Sequence, residues 1–200
     1  MKAKVTRIKD LKAVLIDLEP HVRNPDSLRA GREFRNFGLR PRELLANLLI
    51  CFSGNYEDAS NRLTVCTDPG GGDGLVYNQK TGKYMTMEHV FIPASGLVKG
   101  GSLKDQIIEA VDHKSAKGST YAEGKDLVIF SDHGGGKWMP SEVAKKLAGR
   151  HRFENVWVVH LEKVELGYSY IVSWLHPDGV AIVWRVLIHP DFTDWIVERV

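Results

Sequence analysis

"GGGDGLVYNQKTGKYMTMEHV", residues 70–90, decides how this chain is read. Asp73-Gly74 leads into an alternating run, residues 79–82 offer a turn, and a second alternating run ends in Glu88-His89. That pattern predicts a β-hairpin with an acid on each arm. If "QKTG" is the loop, Asn78 faces Lys83, opposed residue numbers add to 161, and Asp73 faces Glu88. If the turn tightens around Thr81-Gly82, the sum is 163, Asp73 faces Val90, and Glu88 lies one diagonal step away. In either register the two acids share a face, because strand side chains alternate with period two. Opposed Cβ atoms sit about 4.5–5.5 Å apart, and like charges there are destabilising. A divalent cation removes the conflict: two carboxylates with a backbone carbonyl and waters make an oxygen-rich site suited to magnesium or manganese. Asp-Gly alone would be no more than a turn; the pairing with Glu88 is what singles it out.

Upstream, "RPRELLANLLICFSG" has Pro41 in the first helical turn, Glu43 where the helix dipole favours an acid, and apolar residues at helical spacing, with Gly54 as the expected end. Glu43 therefore has a structural explanation besides a functional one. "LTVC" reads as a short strand, and residues 1–19 as an opening helix or helix-strand element. Pro25-Asp26 reads as a turn. Downstream, Ser102 caps a helix from Leu103 that ends before Gly118. "DLVIFSD" is a buried strand, "PSEVAKKLAGR" a third helix, "FENVWVVHLEK" another strand, and "YSYIVSWL" and "VAIVWRVLIH" a C-terminal hairpin over about 168–189. This order predicts one α/β domain over 1–200, with a mixed central sheet and flanking helices.

Composition sets the limits. With 43% hydrophobic and 26% charged residues in 200, the chain is globular rather than disordered, and its apolar runs fall short of the roughly 20 residues of a membrane span. The first twenty residues carry no cleavage-site pattern, so a cytoplasmic protein is expected. A net charge of +2 demands no nucleic-acid partner. The segment from 23 to 42 is locally basic, however, with Arg23, Arg29, Arg32, Arg35, Arg40 and Arg42 against Asp26 and Glu33. Arg32, Arg35, Arg40 and Arg42 are the candidate nucleic-acid contacts; a solvated face is the plain alternative. Asp68 fits an Asx-type turn before Pro69, and Cys51 a buried thiol in an apolar helix. The histidines lack zinc-site spacing. "SDHGGGK" lacks the P-loop spacing and reads as a glycine-rich turn.

A glutamate on a first helix, Asp-Gly opening a hairpin, an acid on the next strand, an amphipathic helix and further α/β alternation together resemble the PD-(D/E)XK, or restriction-endonuclease-like, nuclease superfamily over residues 40–160. The resemblance implies that fold, with Glu43, Asp73 and Glu88 as magnesium or manganese ligands and water as the nucleophile. It also implies a lysine two residues after the strand acid, where this chain has Val90. His89 points to the opposite face of the strand and cannot take that place. Some relatives supply the lysine from the following helix, so Lys104 and Lys114 become candidates, with Gln106 as the helix glutamine some of these nucleases use.

The expected function is metal-dependent hydrolysis of phosphodiesters in nucleic acid, DNA before RNA, by a structure- or partner-directed enzyme, such as one working on DNA ends or a component of a mobile-element or defence system. The alternative is an inactive nuclease fold that binds nucleic acid or a protein partner, which Val90 favours. A third possibility is a carboxylate hydrolase acting on small phosphoesters.

Overall fold

Eight strands lie side by side in the order in which the chain makes them. They are β1 (Leu63–Cys66), β2 (Leu75–Asn78), β3 (Lys83–Ile92), β4 (Lys125–Ser131), β5 (Val156–Lys163), β6 (Tyr168–Leu175), β7 (Ala181–Ile188) and β8 (Trp195–Arg199). Helices α1 (Leu11–Val22), α2 (Pro25–Ala30) and α3 (Pro41–Glu57) precede the sheet. α4 (Leu103–Ser115) and α5 (Ser119–Ala122) join β3 to β4, and α6 (Pro140–Leu147) joins β4 to β5. This computed structural model describes residues 6–34, 37–67, 72–94, 101–132, 138–164 and 167–200. Arg35, Asp68, Gly70, Gly71 and the "HGGGK" stretch at 133–137, expected to be a glycine-rich turn, lie outside them.

The pairs β3–β4 and β4–β5 are parallel and every other pair is antiparallel, so the sheet is mixed, as expected. Parallel neighbours need a crossover, and the segments holding α4, α5 and α6 supply the two. β4 has helices on both sides, which is why it reads as an unbroken apolar run. Val128 and Phe130 face a core shared with α1 and α3, while Leu127 and Ile129 face a second core shared with α4 and α6. At the entrance to β4, Asp126 is buried and accepts from Trp157 Nε1 and Asn155 Nδ2, each at 2.9 Å. That fixes the strand beside which the candidate site forms. No described helix is long and apolar enough to cross a membrane.

Two local expectations are corrected, and two elements were not foreseen. Pro25-Asp26 begins α2 instead of a turn, with Asn24 capping it and proline in its first turn. Gly54 lies inside α3, because a Cβ there would come within 2.5 Å of the Leu63 side chain. Close packing on β1, not helix termination, accounts for that glycine. α5 was unforeseen, since four residues carry no periodicity. β8 was also unforeseen; its exposure pattern shows no buried residue to mark it as a strand.

Candidate functional site

The hairpin adopts the first of the two registers, with Asn78 opposite Lys83 and Leu75 opposite Thr86. Met87 N–H donates to the Gly74 carbonyl at 2.9 Å, one step beyond the ladder. In an antiparallel pair, alternate residues donate toward the partner strand, so the next such amide is that of His89. It donates to Asp73 Oδ2 at 2.9 Å, so a carboxylate closes the ladder where a backbone carbonyl would otherwise accept. Counting on from the same register sets Asp73 opposite Glu88.

β3 then sorts its side chains by parity. Glu88 and Val90 lie beside Leu127 and Ile129 on the α4 side, and His89 lies beside Val128 on the α3 side. Val90, at the position where the resemblance implies a lysine, packs against the apolar cluster of α4 and α6. His89 is buried and bonded through Nε2 to Asn47 Oδ1 at 3.1 Å. Burial pushes its pKa down to about 3, so the ring is neutral at physiological pH and supports α3 instead of trading protons. Gly74 makes this contact possible: a Cβ there would lie 2.4 Å from Asn47 Nδ2.

On the α4 side, Lys114 Nζ forms an ion pair with Glu88 Oε1, both side chains being 14% exposed. The crossover explains how a residue twenty-six positions away arrives there. α4 joins the end of β3 to the start of β4, so its last turn comes back over the part of the sheet where Glu88 adjoins Leu127. A lysine in a last helical turn is also favoured by the dipole, so its place on α4 has a structural reason as well. Tyr121 of α5 completes the group. Its hydroxyl lies 3.4 Å from Lys114 Nζ, close enough to Glu88 for the two groups to shift each other's ionisation. Burial by itself raises the Glu88 carboxyl, but Lys114 and Tyr121 outweigh it and hold the group below its ordinary value. Burial, and then Glu88, raise the Tyr121 hydroxyl, which stays protonated. Nothing in the sequence marked Tyr121, since its four-residue helix gave no pattern to place it.

Glu43 enters from the third position of α3. Its Oε2 accepts the Arg40 N–H at 2.9 Å, and Arg42 Nη2 lies 3.8 Å from Oε1. The structural role foreseen for this glutamate is therefore present. Burial raises its carboxyl, and the neighbouring charge of Asp73 adds to that rise. The charge of Asp73 acts on Glu43 and on Tyr121, the neighbour of Lys114.

The remaining candidates are dispersed. Lys104 pairs with Glu142 of α6 at 2.7 Å, at an exposed position. Gln106 is buried, with Nε2 at 3.5 Å from the Gly101 carbonyl. At 1.5 Å per residue it lies about 12 Å along α4 from Lys114, too far to share a site with it. Arg32 and Arg40 are exposed. Arg42 is not: it donates to the Arg29 carbonyl at 2.7 Å and lies 4.9 Å over the Phe91 ring. A guanidinium buried in that way braces the Arg29 carbonyl and Glu43 and is not placed to meet a phosphate, which corrects the expectation for this residue.

Among the described residues, no three His, Cys, Asp or Glu side chains gather closely enough to hold a metal ion between them. Magnesium usually keeps several waters and takes one or two protein carboxylates. Asp73, whose carboxylate accepts the His89 N–H, and Glu88, on the α4 side of β3, are the two hard oxygen ligands available for that lesser requirement. Set against known proteins, the chain matches no family model, no curated protein and no solved structure.

Proposed function

We propose that the chain is a divalent-metal-dependent nuclease on a restriction-endonuclease-like scaffold, hydrolysing phosphodiester bonds in nucleic acid, DNA before RNA. The observation that carries this is the meeting of Lys114 with Glu88. It puts an ammonium on the face of β3 where the resemblance calls for one, although Val90 fills the usual position. Asp73 and Glu88 would hold magnesium or manganese, with Glu43 supporting Asp73. Such an ion supplies Lewis-acid polarisation of the scissile phosphate and a more acidic water.

The chain's own residues do the rest. Lys114 offers ammonium protons to the attacking water or to the phosphate oxygens as their charge grows. Glu88 and Tyr121 fix the position of that ammonium, and the Asp73 bond to the His89 amide holds the acid-bearing turn against β3. The apolar Val90 lines the α4 side beside Glu88, and the buried His89 anchors β3 to α3 on the other side.

One observation favours the second reading, an inactive scaffold that binds nucleic acid or a protein partner. Glu88 is already neutralised by Lys114, so this half of the acid pair no longer needs a cation for stability. Cleavage separates the two. Supercoiled plasmid and single-stranded oligonucleotide are incubated with wild type in magnesium, in manganese and in EDTA, and with Asp73→Asn in manganese. The proposal expects nicking by wild type in either metal and none in EDTA or with the variant. Binding without cleavage under every condition would leave the second reading.

A further inference from the structure

Beyond Glu88, three ammonium groups converge on one tyrosine. Lys114 Nζ lies 3.4 Å and Lys117 Nζ 3.3 Å from the Tyr121 hydroxyl. Lys117 and Lys125 lie 4.6 and 4.4 Å from the centre of its ring. Among the described residues, Lys114 alone of the three has a carboxylate partner. Among the described residues, no Asp or Glu oxygen lies within ion-pair distance of Lys117 or Lys125. The ring attracts each cation through its quadrupole, but like charges held this close repel one another, and the ring supplies no negative charge to settle them.

These residues come from one short stretch, the end of the crossover between β3 and β4. Lys114 is in the last turn of α4, Lys117 follows that helix, Tyr121 is on α5, and Lys125 begins β4. The crossover between β3 and β4 folds them together beside Glu88. Several ammonium donors next to a tyrosine hydroxyl match an anion with several acceptor oxygens. With cations already over its ring, Tyr121 is a poor platform for base stacking, so backbone recognition is favoured over base recognition.

We propose that Lys117, Lys125 and Tyr121 form a phosphate subsite for the nucleic-acid strand, next to the Glu88–Lys114 pair. This deepens the nuclease proposal and rests on it for the identity of the ligand. A strand seated there places a neighbouring phosphate toward Asp73 and Glu88, so the subsite sets the strand's position and carries no sequence preference.

The test is binding without metal. Fluorescence anisotropy of a labelled single strand and of a labelled duplex is measured in EDTA over a salt series. The proteins are wild type, the Lys117→Gln/Lys125→Gln double variant, which keeps most of each stem over the ring, and Lys104→Gln as the charge control. Two lost phosphate contacts should make the slope of log K against log salt shallower by about 1.8 for duplex and about 1.4 for single strand. The control should keep the wild-type slope. An unchanged slope in the double variant overturns the subsite, as does a loss matched by the control or no binding by wild type. Manganese cleavage on the same samples keeps the two proposals apart. A shallower slope without cleavage sustains the subsite and sinks the nuclease, and cleavage with an unchanged slope does the reverse.

Discussion

Lys114→Ala is expected to slow metal-dependent cleavage by roughly 10²–10⁴-fold, the range associated with losing one positioned proton-donating group, while Lys104→Ala leaves it near wild type. Both lysines are on α4 and both were candidates for the missing strand lysine. Lys104 is spent on Glu142 at an exposed position, whereas Lys114 reaches the one acid of β3 that faces α4. The loss should fall mainly on kcat, because Lys114 is asked to act on charge that develops during reaction. A rate for Lys114→Ala within threefold of wild type would remove this lysine from the chemistry.

The same substitution has a stability signature with a definite sign. In wild type, Glu88 is pushed up by burial but held on balance below its ordinary 4.5 by Lys114 and Tyr121. A depressed folded value contributes stability that is complete above the unfolded value and fades as pH falls through the folded one. Without Lys114 burial prevails, and a charged Glu88 becomes a liability. The variant should lose about 1–3 kcal/mol at neutral pH, the cost of a charged hydrogen bond at a partly exposed site. The deficit should begin to shrink as pH falls through the variant's raised value, above 4.5, and close as pH falls through the wild type's lowered one, below which Glu88 is protonated in both proteins. Urea melts at pH 7, 5 and 4 measure it. A deficit that does not change with pH would mean that Lys114 acts through packing alone.

Gly74→Ala is the second substitution with a large expected effect. Gly74 has φ +125°, a region L side chains rarely adopt, and its Cβ would lie 2.4 Å from Asn47 Nδ2 and 3.2 Å from a Leu39 methyl. Asn47 cannot simply yield, since it is fully buried and bonded to His89. Strain and overpacking together should cost about 2–4 kcal/mol, or roughly 5–15 °C in Tm for a chain of this size. The Asp73 bond to the His89 amide is adjacent, so the acid-bearing turn should loosen as well. A circular-dichroism melt within a degree of wild type would refute this account of the turn.

Much of this architecture is legible in the residues, and the exceptions have physical causes. Alternation and turn chemistry in 70–90 left two hairpin registers open, and the ladder takes the one with "QKTG" as its loop. Periodicity located α3, α4 and α6 because each lays an apolar stripe on the sheet. It could not reveal α5, which is too short, or β8, a five-residue edge strand with only Trp195 and Val197 half-buried against the core. Gly54 misled because glycine serves tight packing as readily as helix ends. The site divides in the same way. That Glu88 and His89 face opposite sides follows from strand geometry alone. The choice of Lys114 over Lys104, and the presence of Tyr121, depend on how a crossover packs, which no local pattern encodes. Arg42 lies in a basic stretch yet is buried, because charge in sequence does not say which side chains the fold encloses.

The central claim is that Asp73 and Glu88 bind a divalent cation, and calorimetric titration of manganese tests it most directly. Wild type is compared with an Asp73→Asn/Glu88→Gln double variant that has been shown by circular dichroism to be folded. The account expects saturable binding by wild type, none by the double variant, and a rise in wild-type Tm with manganese that the variant lacks. No binding by wild type, or equal binding by both, would contradict it and leave the two acids as neighbours only.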